Sequence, residues 1–380
     1  MSDYAARLDR IDWNFPQAGT AIGSIHKTHW FPGNFIPQIP AALIEVLSKP
    51  GDLVLDPFGG SGTTALEAAR LGRRAIYSDT VSACVLIARA KIAAATEGLA
   101  PAVARNILHE LTWDHACRSD EVGRNGEGSD LELSRWYDPD TLAQLRYIWR
   151  LLEAHNGAER LTLELLFSDL LFSCASTNGS RTRSGKLRRH HWGWVADNVI
   201  PKELARHDAI EGFRTRIHAL PVPSRPDHAP MVLQREAHSL PIESGSIDLI
   251  VTSPPYVGVI DYVKANRLLY LWMGWPFDRE RAAEIGARYK RRRPLVVSEY
   301  LADMAKCWRE LHRVLKPGGS LAVVIGESRA FPGTCDRTID DLRALMPVTW
   351  GPTSRVPTRR RVADRAARDA LELVLVAEKI

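Results

Sequence analysis

Two short stretches carry residue types that could do chemistry together. The first is "DPFGGSGTT" at 56–64, where the carboxylate of Asp56 precedes Gly59, Gly60 and Gly62 and the hydroxyls of Ser61 and Thr63. Such glycines let the backbone turn sharply and approach a ligand with no Cβ in the way. A phosphate-cradling Walker loop needs a lysine before its Ser/Thr, and here Gly62 is followed by Thr63; the run also lacks the GxGxxG spacing of a dinucleotide fingerprint. A carboxylate ahead of the loop would repel a pyrophosphate but could receive a cation. Asp79 stands about where an acceptor for ribose hydroxyls is expected, ~20 residues beyond the loop. The pair suits an adenosine that lacks phosphates and carries positive charge, and S-adenosylmethionine has that chemistry. For the glycine run alone, an ordinary strand-loop-helix turn is the competing reading.

The second stretch is "TSPPY" at 252–256. Two consecutive prolines remove two backbone donors and hold the chain in one shape. Ser253 and the carbonyl oxygens of Pro254 and Pro255 offer acceptors in fixed directions, and Tyr256 supplies a flat face. Together they could hold an amino group attached to an aromatic ring, with the oxygens taking its two hydrogens and the tyrosine stacking on the ring. The competing reading is a rigid turn with a surface tyrosine.

These stretches need elements to position them. In 51–79, "LVLD" reads as a strand, "GTTALEAARL" as a helix and "RRAIYSD" as the next strand, followed by a helical "VSACVLIARAKIAAA". This is a βαβ unit, which predicts a parallel sheet. From about residue 231 come the strand "SIDLIVTS", a helix "LADMAKCWRELHRVL" closed by "KPGG", and the strands "SLAVVIG" and "LELVLVAEK". The expected fold is α/β, a Rossmann-like, mostly parallel sheet with an antiparallel last strand. The strand leading into "TSPPY" should lie beside the glycine-loop strand, so that both loops face one rim. Residues 101–230 differ: a polar "EVGRNGEGSD" and the amphipathic helices "DTLAQLRYIWRLLEAH" and "ERLTLELLFSDLLFSCAS" read as a helical insertion between two halves of one domain.

Composition sets bounds. With 380 residues, 45% hydrophobic and 25% charged, the chain can bury a full core and has the make-up of a soluble globular protein. Five scattered cysteines without a CxxC pair read as reduced thiols, and no metal site is expected. The first residues, "MSDYAARLDR", lack an apolar signal core, and no run approaches the ~20 apolar residues of a membrane span. A cytoplasmic location is the expectation. The net charge of +5 is a mild lean toward polyanions, concentrated in clusters at 180–194, 288–293 and 355–365. Any one cluster alone reads as a solvated face.

With these motifs in this order, the chain resembles the S-adenosylmethionine-dependent DNA amino-methyltransferases, which methylate cytosine N4 or adenine N6. "HWFPGNFIPQIPAALIEVL" (29–47) resembles the segment that packs around the methionine end of the cofactor, "DPFGGSGTT" the cofactor loop, "TSPPY" the catalytic loop, and "RVLKPGG" a connector common to this methyltransferase class. The resemblance implies a cofactor-binding half at 1–100, the insertion at 101–230 as target-recognition region, and a catalytic half at 231–380. It implies cofactor contacts from Phe31, Pro32, Asp56, Pro57, Phe58, Gly59, Gly60, Ser61, Gly62 and Thr63, with Asp79 on the ribose. Glu236, where the family usually has aspartate, falls near the adenine. Ser253, Pro254, Pro255 and Tyr256 would hold the target amine. An "SPPY" tetrad is more typical of cytosine-N4 enzymes and "DPPY" or "NPPY" of adenine-N6 enzymes, so cytosine is expected and adenine is the alternative.

The implied substrate is double-stranded DNA, with base flipping to bring the target to the rim. A cognate restriction endonuclease as partner and the oligomeric state are left open. Arg181, Arg183, Lys186, Arg188, Arg189 and Trp192 in the insertion, and Lys264 and Arg267 on "DYVKANRLLYLWMG" (261–274), which reads as a helix lining the cleft just after the catalytic loop, are the candidate nucleic-acid contacts. A tRNA guanine-N2 methyltransferase and a binding protein without turnover are the remaining alternatives.

Overall fold

The computed structural model describes residues 3–13, 15, 24–33, 35–112, 131–176, 201, 203–328, 330–350, 355–357 and 371–380. Helices α1 (Asp3–Asp9) and α2 (Gln38–Leu47) precede the βαβ unit of β1 (Leu53–Asp56), α3 (Thr63–Arg70) and β2 (Arg74–Asp79), which runs on into α4 (Ser82–Thr96). The segment that follows contributes α5 (Pro101–Glu110), α6 (Pro139–Glu153), α7 (Gly157–Ser173) and α8 (Ala209–His218). Then come β3 (Met231–Gln234), β4 (Ile247–Thr252), the short helices α9 (Tyr262–Ala265), α10 (Arg267–Met273) and α11 (Phe277–Ala283), a 3-10 helix at Arg288–Arg292, and α12 (Val296–Val314). The chain closes with β5 (Leu315–Gly326), α13 (Thr334–Arg343), β6 (Val348–Trp350), β7 (Arg355–Pro357) and β8 (Leu371–Glu378).

The strands form one sheet in the order β3-β2-β1-β4-β5-β8-β6, with β7 pairing to β8 off that path. From β3 to β5 every pairing is parallel, and β8 runs antiparallel to β5. This is the mostly parallel sheet with an antiparallel last strand that the sequence predicts. Helices cover both faces, which is why the central strands read as unbroken apolar runs rather than alternating ones. On one face Met304, Trp308 and Leu311 of α12 pack with Ile339 and Leu342 of α13 against Leu55, Ile250 and Val323. On the other, Leu43 and Ile44 of α2, Ala68 of α3 and Ala88 of α4 meet Val54, Leu249 and Val324.

The outer side of α4 is also covered. Cys84, Ile87 and Ala94 share a third cluster with Leu163, Leu166 and Leu170 of α7 and Phe213 of α8. A helix packed on both sides must be apolar all round, which explains the alanine-rich composition of α4. Its small side chains let α7 approach closely, and Lys91 on α4 is fully buried.

Two local expectations need correction. "KPGG" does not separate helix from strand: α12 ends at Val314, β5 starts at Leu315, and the four residues form an irregularity inside the strand, since β4 advances from Ile247 to Leu249 while β5 advances from Leu315 to Ser320. "DYVKANRLLYLWMG" is not one helix. It forms the two short helices α9 and α10, which meet at Asn266, whose side-chain amide donates to Tyr262 O at 2.9 Å beside its own backbone N at 3.2 Å. Among the described residues Cys84, Cys174, Cys307 and Cys335 are buried free thiols, and no helix is long and apolar enough to cross a membrane.

Candidate active site

Because β1 and β4 are parallel neighbours, with Val54 opposite Leu249 and Leu55 opposite Ile250, their carboxyl ends open on the same rim. Both loops border one cleft of about 230 Å³. Of the residues singled out from the sequence, Phe31, Asp56, Pro57, Phe58, Gly59, Gly60, Ser61, Thr63, Asp79, Glu236, Ser253 and Pro255 line it. Pro32, Gly62, Pro254 and Tyr256 lie outside its wall. Gly62 sits at the start of α3 with φ +84°, and a Cβ there would lie 3.1 Å from Ala88 Cβ, so this glycine serves the contact between α3 and α4.

Gly59 has a different reason. A Cβ on it would fall 2.2 Å from the ring of Tyr77, which is buried beneath the loop. The Tyr77 hydroxyl donates to Gly60 O at 2.9 Å, and Gly59 N donates to Ser78 O at 2.9 Å. The loop is therefore shaped by the end of β2, a support that the glycine motif does not announce.

Five carboxyl side chains line the cleft, Asp56, Asp79, Glu236, Glu284 and Asp303, and three of them accept hydrogen bonds from backbone N–H groups. Asp79 accepts from Gly60 N and Val81 N, each at 2.9 Å, and burial pushes its pKa up to about 6. Asp56 accepts from Thr252 Oγ1 at 2.7 Å and Phe58 N at 3.2 Å, and burial likewise pushes it up to about 6. Its bond to Thr252 ties the glycine loop to the strand that carries "TSPPY". Glu284, which the sequence reading missed, accepts from Tyr262 N and Val263 N at 2.8 and 3.0 Å; burial, helped by Asp261, pushes it up to about 8. Glu236 is exposed at the margin, 3.1 Å from His238.

The "TSPPY" loop is held from behind. Tyr300 on α12 donates to Pro255 O at 3.0 Å and Ser328 Oγ donates to Val257 O at 2.6 Å. The Pro255 carbonyl, expected as one of the outward acceptors, is thus engaged with the fold. Ser253 Oγ lies 3.4 Å from the Tyr256 hydroxyl, and Tyr256 packs half-buried against the apolar cluster of α12. A tyrosine on an amphipathic helix reads as core, so nothing local marks Tyr300.

The segment before the cleft is braced by α7 and α8. Phe31 stacks on Tyr262 with centroids 5.8 Å apart. Trp30 stacks on Phe172 of α7 at 4.5 Å, and its backbone N donates to Asp169 Oδ1 at 2.8 Å. Asp169 in turn pairs with Arg216 of α8 at 2.7 Å. Burial alone would raise the Asp169 carboxyl, but His29 and Arg216 beside it hold it below its usual range. His29 is itself pushed down to about 4 by burial.

Of the candidate nucleic-acid contacts, Arg181, Arg183, Lys186, Arg188, Arg189 and Trp192 lie outside the described residues. Lys264 is half-buried on α9, and Arg267 pairs with Glu132 at 2.5 Å, so a phosphate would have to share or displace that carboxylate.

The donor set fits S-adenosylmethionine. Buried carboxyls that resist ionising alone would be stabilised as anions by a cation, the glycines leave the floor open, and Phe31 and Phe35 give apolar walls.

A family model described as a DNA methylase of the N6/N4 class matches residues 13–89 and 247–379, more than half of the chain. Type II methyltransferase M2.DpnII of Streptococcus pneumoniae is 41% identical over 75 residues, 19% of this chain and 28% of that protein. Type II methyltransferase M.MjaII of Methanocaldococcus jannaschii is 35% identical over 68 residues, 18% of this chain and 13% of that protein. The matched stretches thus span less than a third of either relative. Among solved structures, TrmN from Thermus thermophilus shares 14% identity at a TM-score of 0.35, covering 96% of this chain and 52% of its own. The rRNA methyltransferase AviRa from Streptomyces viridochromogenes shares 11% at 0.36, covering 99% and 96%. At that level of likeness the strand order, not the neighbours, describes the fold.

Proposed function

Since this chain belongs to the N6/N4 DNA methylase family, whose methyl donor is S-adenosylmethionine, we propose that it methylates the exocyclic N4 amine of a flipped cytosine in double-stranded DNA. The observation that carries the reading is the shared cleft: the glycine loop and "TSPPY" end neighbouring parallel strands and are bridged by the Asp56–Thr252 bond. When bound, the cofactor supplies an electrophilic methyl on a sulfonium.

Phe31 and the 56–63 loop would hold its methionine part, Asp79 its ribose hydroxyls, and the Glu236 margin its adenine. Ser253 Oγ and the Pro254 carbonyl would accept the hydrogens of the target amine and turn its lone pair toward the methyl. Tyr256 would stack on the base, after moving from its half-buried position. Tyr300 keeps the loop in place by occupying the Pro255 carbonyl. Rate enhancement from such a site rests on orientation and fixed dipoles.

Ser253 favours cytosine. Adenine N6 is the second reading, because both bases present an amine beside a ring nitrogen and the matched family spans both targets. The two relatives bear Type II methyltransferase names, which supports a role beside a cognate restriction endonuclease.

The test is mass spectrometry of nucleosides from unmodified genomic DNA incubated with the protein and S-adenosylmethionine. N4-methyldeoxycytidine is the expected product. N6-methyldeoxyadenosine would overturn the choice of base, and methylation of RNA alone would overturn the choice of polymer.

A further inference from the structure

The basic cluster at 288–293 plays no part in the chemistry described so far, yet it is sewn to the catalytic loop. Gly258 N donates to Gly286 O at 2.7 Å, and Arg288 N donates to Ile260 O at 3.0 Å. Arg291 lies across Gly258: a Cβ built on that glycine would stand 2.8 Å from Arg291 Cγ. Gly258 follows Tyr256 by two positions, so the cluster sits beside the segment that would hold the flipped base.

The charges in the cluster are not equivalent. Lys290 serves the fold, donating to Ala282 O at 3.0 Å and Glu284 O at 2.6 Å, and burial lowers its pKa. Arg293 lies over the Tyr289 ring and faces Glu299 at 3.9 Å, an exposed pair of little energetic weight. Arg291 and Arg292 are exposed and make no ion pair among the described residues. Two adjacent guanidinium groups without a counter-charge form a local positive field that an anion would neutralise. A basic turn that was merely solvated would not need its backbone bonded to both sides of the segment after Tyr256.

We propose that Arg291 and Arg292 bind the backbone phosphates flanking the target nucleotide and hold the strand at the mouth of the cleft while the base is turned out. This rests on the function proposed above. The planar guanidinium matches a phosphate with two parallel donors. Contacts of this kind fix register on the strand without reading sequence. Their loss should therefore weaken binding to every duplex alike and reduce its dependence on salt.

The test is fluorescence anisotropy of a labelled random-sequence duplex titrated with wild type and with Arg291→Ala/Arg292→Ala across a salt series. S-adenosylmethionine affinity, measured calorimetrically, reports that the variant is folded. Each phosphate contact contributes about 0.9 to the slope of log affinity against log salt, so the double variant should be shallower by about 2 with its cofactor affinity unchanged. An unchanged slope in a variant that binds cofactor normally, while wild type methylates DNA, would overturn the proposal and leave the function standing. A wild type that binds cofactor but neither binds nor methylates DNA would overturn both.

Discussion

Lowering the pH from 7 to 5 should strip S-adenosylmethionine from the protein without loosening the fold. Burial raises Asp56 and Asp79 to about 6. A cation and hydroxyl donors are received by the ionised forms, so affinity is full above pH 7 and falls as pH drops through 6. At pH 5 about ten in eleven molecules carry the proton on a given carboxyl, which weakens binding roughly tenfold per group, or about 1.4 kcal/mol. If both must ionise, the loss is roughly a hundredfold. The effect on stability has the opposite sign. Both folded pKa values lie above the ordinary 3.8, so the stability these groups contribute is fully present below 3.8 and is lost as pH rises through 6. For these two carboxyls acid therefore favours the empty fold while it weakens the complex; His29, pushed down to about 4 by burial, acts the other way, its share of stability being lost as pH falls below 6.5.

Isothermal titration calorimetry across this range, with melting curves in parallel, separates the two effects. Asp79→Asn should bind roughly tenfold more weakly at pH 7 and retain only the Asp56 share of the pH dependence. A dissociation constant that changes less than about twofold between pH 7 and 5, with an intact melt, would refute the assignment of these carboxyls to the ligand.

Two substitutions probe the supports of the loops. Gly59→Ala places a Cβ 2.2 Å from the Tyr77 ring, whose hydroxyl is tied to Gly60 O; overpacking should cost about 1–3 kcal/mol in denaturant melts and displace the cofactor loop, and wild-type stability with wild-type cofactor affinity would contradict it. Tyr300→Phe leaves the Pro255 carbonyl without its donor. It should cost about 1–3 kcal/mol and slow single-turnover methyl transfer. Cofactor affinity should not change, because Tyr300 does not line the cleft; a rate equal to wild type would show that the loop does not depend on this bond.

What could be read from the sequence was what is local. The βαβ rhythm and the two loops depend on periodicity and on glycine and proline at fixed places, and the adjacency of β1 and β4 follows once both loops must share a rim. What escaped were contacts between distant parts of the chain. Asp169 holds Trp30 across 139 positions and Tyr300 holds Pro255 across 45; both residues look like ordinary members of amphipathic helices. Glu284 follows no motif, and its importance arises because α9 brings two amide N–H groups to it beside the cleft. The expected helix at 261–274 is divided at Asn266, whose side chain bonds back to Tyr262 O, a local bond that apolar spacing does not register.

The central claim is that "TSPPY" presents a DNA base to a methyl donor held by the neighbouring glycine loop. The most direct measurement is transfer of labelled methyl from S-adenosylmethionine to duplex DNA by wild type, Ser253→Ala and Tyr256→Ala, with cofactor affinity followed for each. Wild type should label DNA, and each variant should bind cofactor normally while losing about 100-fold or more in transfer rate. Labelling that persists in both variants, or a wild type that binds the cofactor and labels no DNA, would contradict the account.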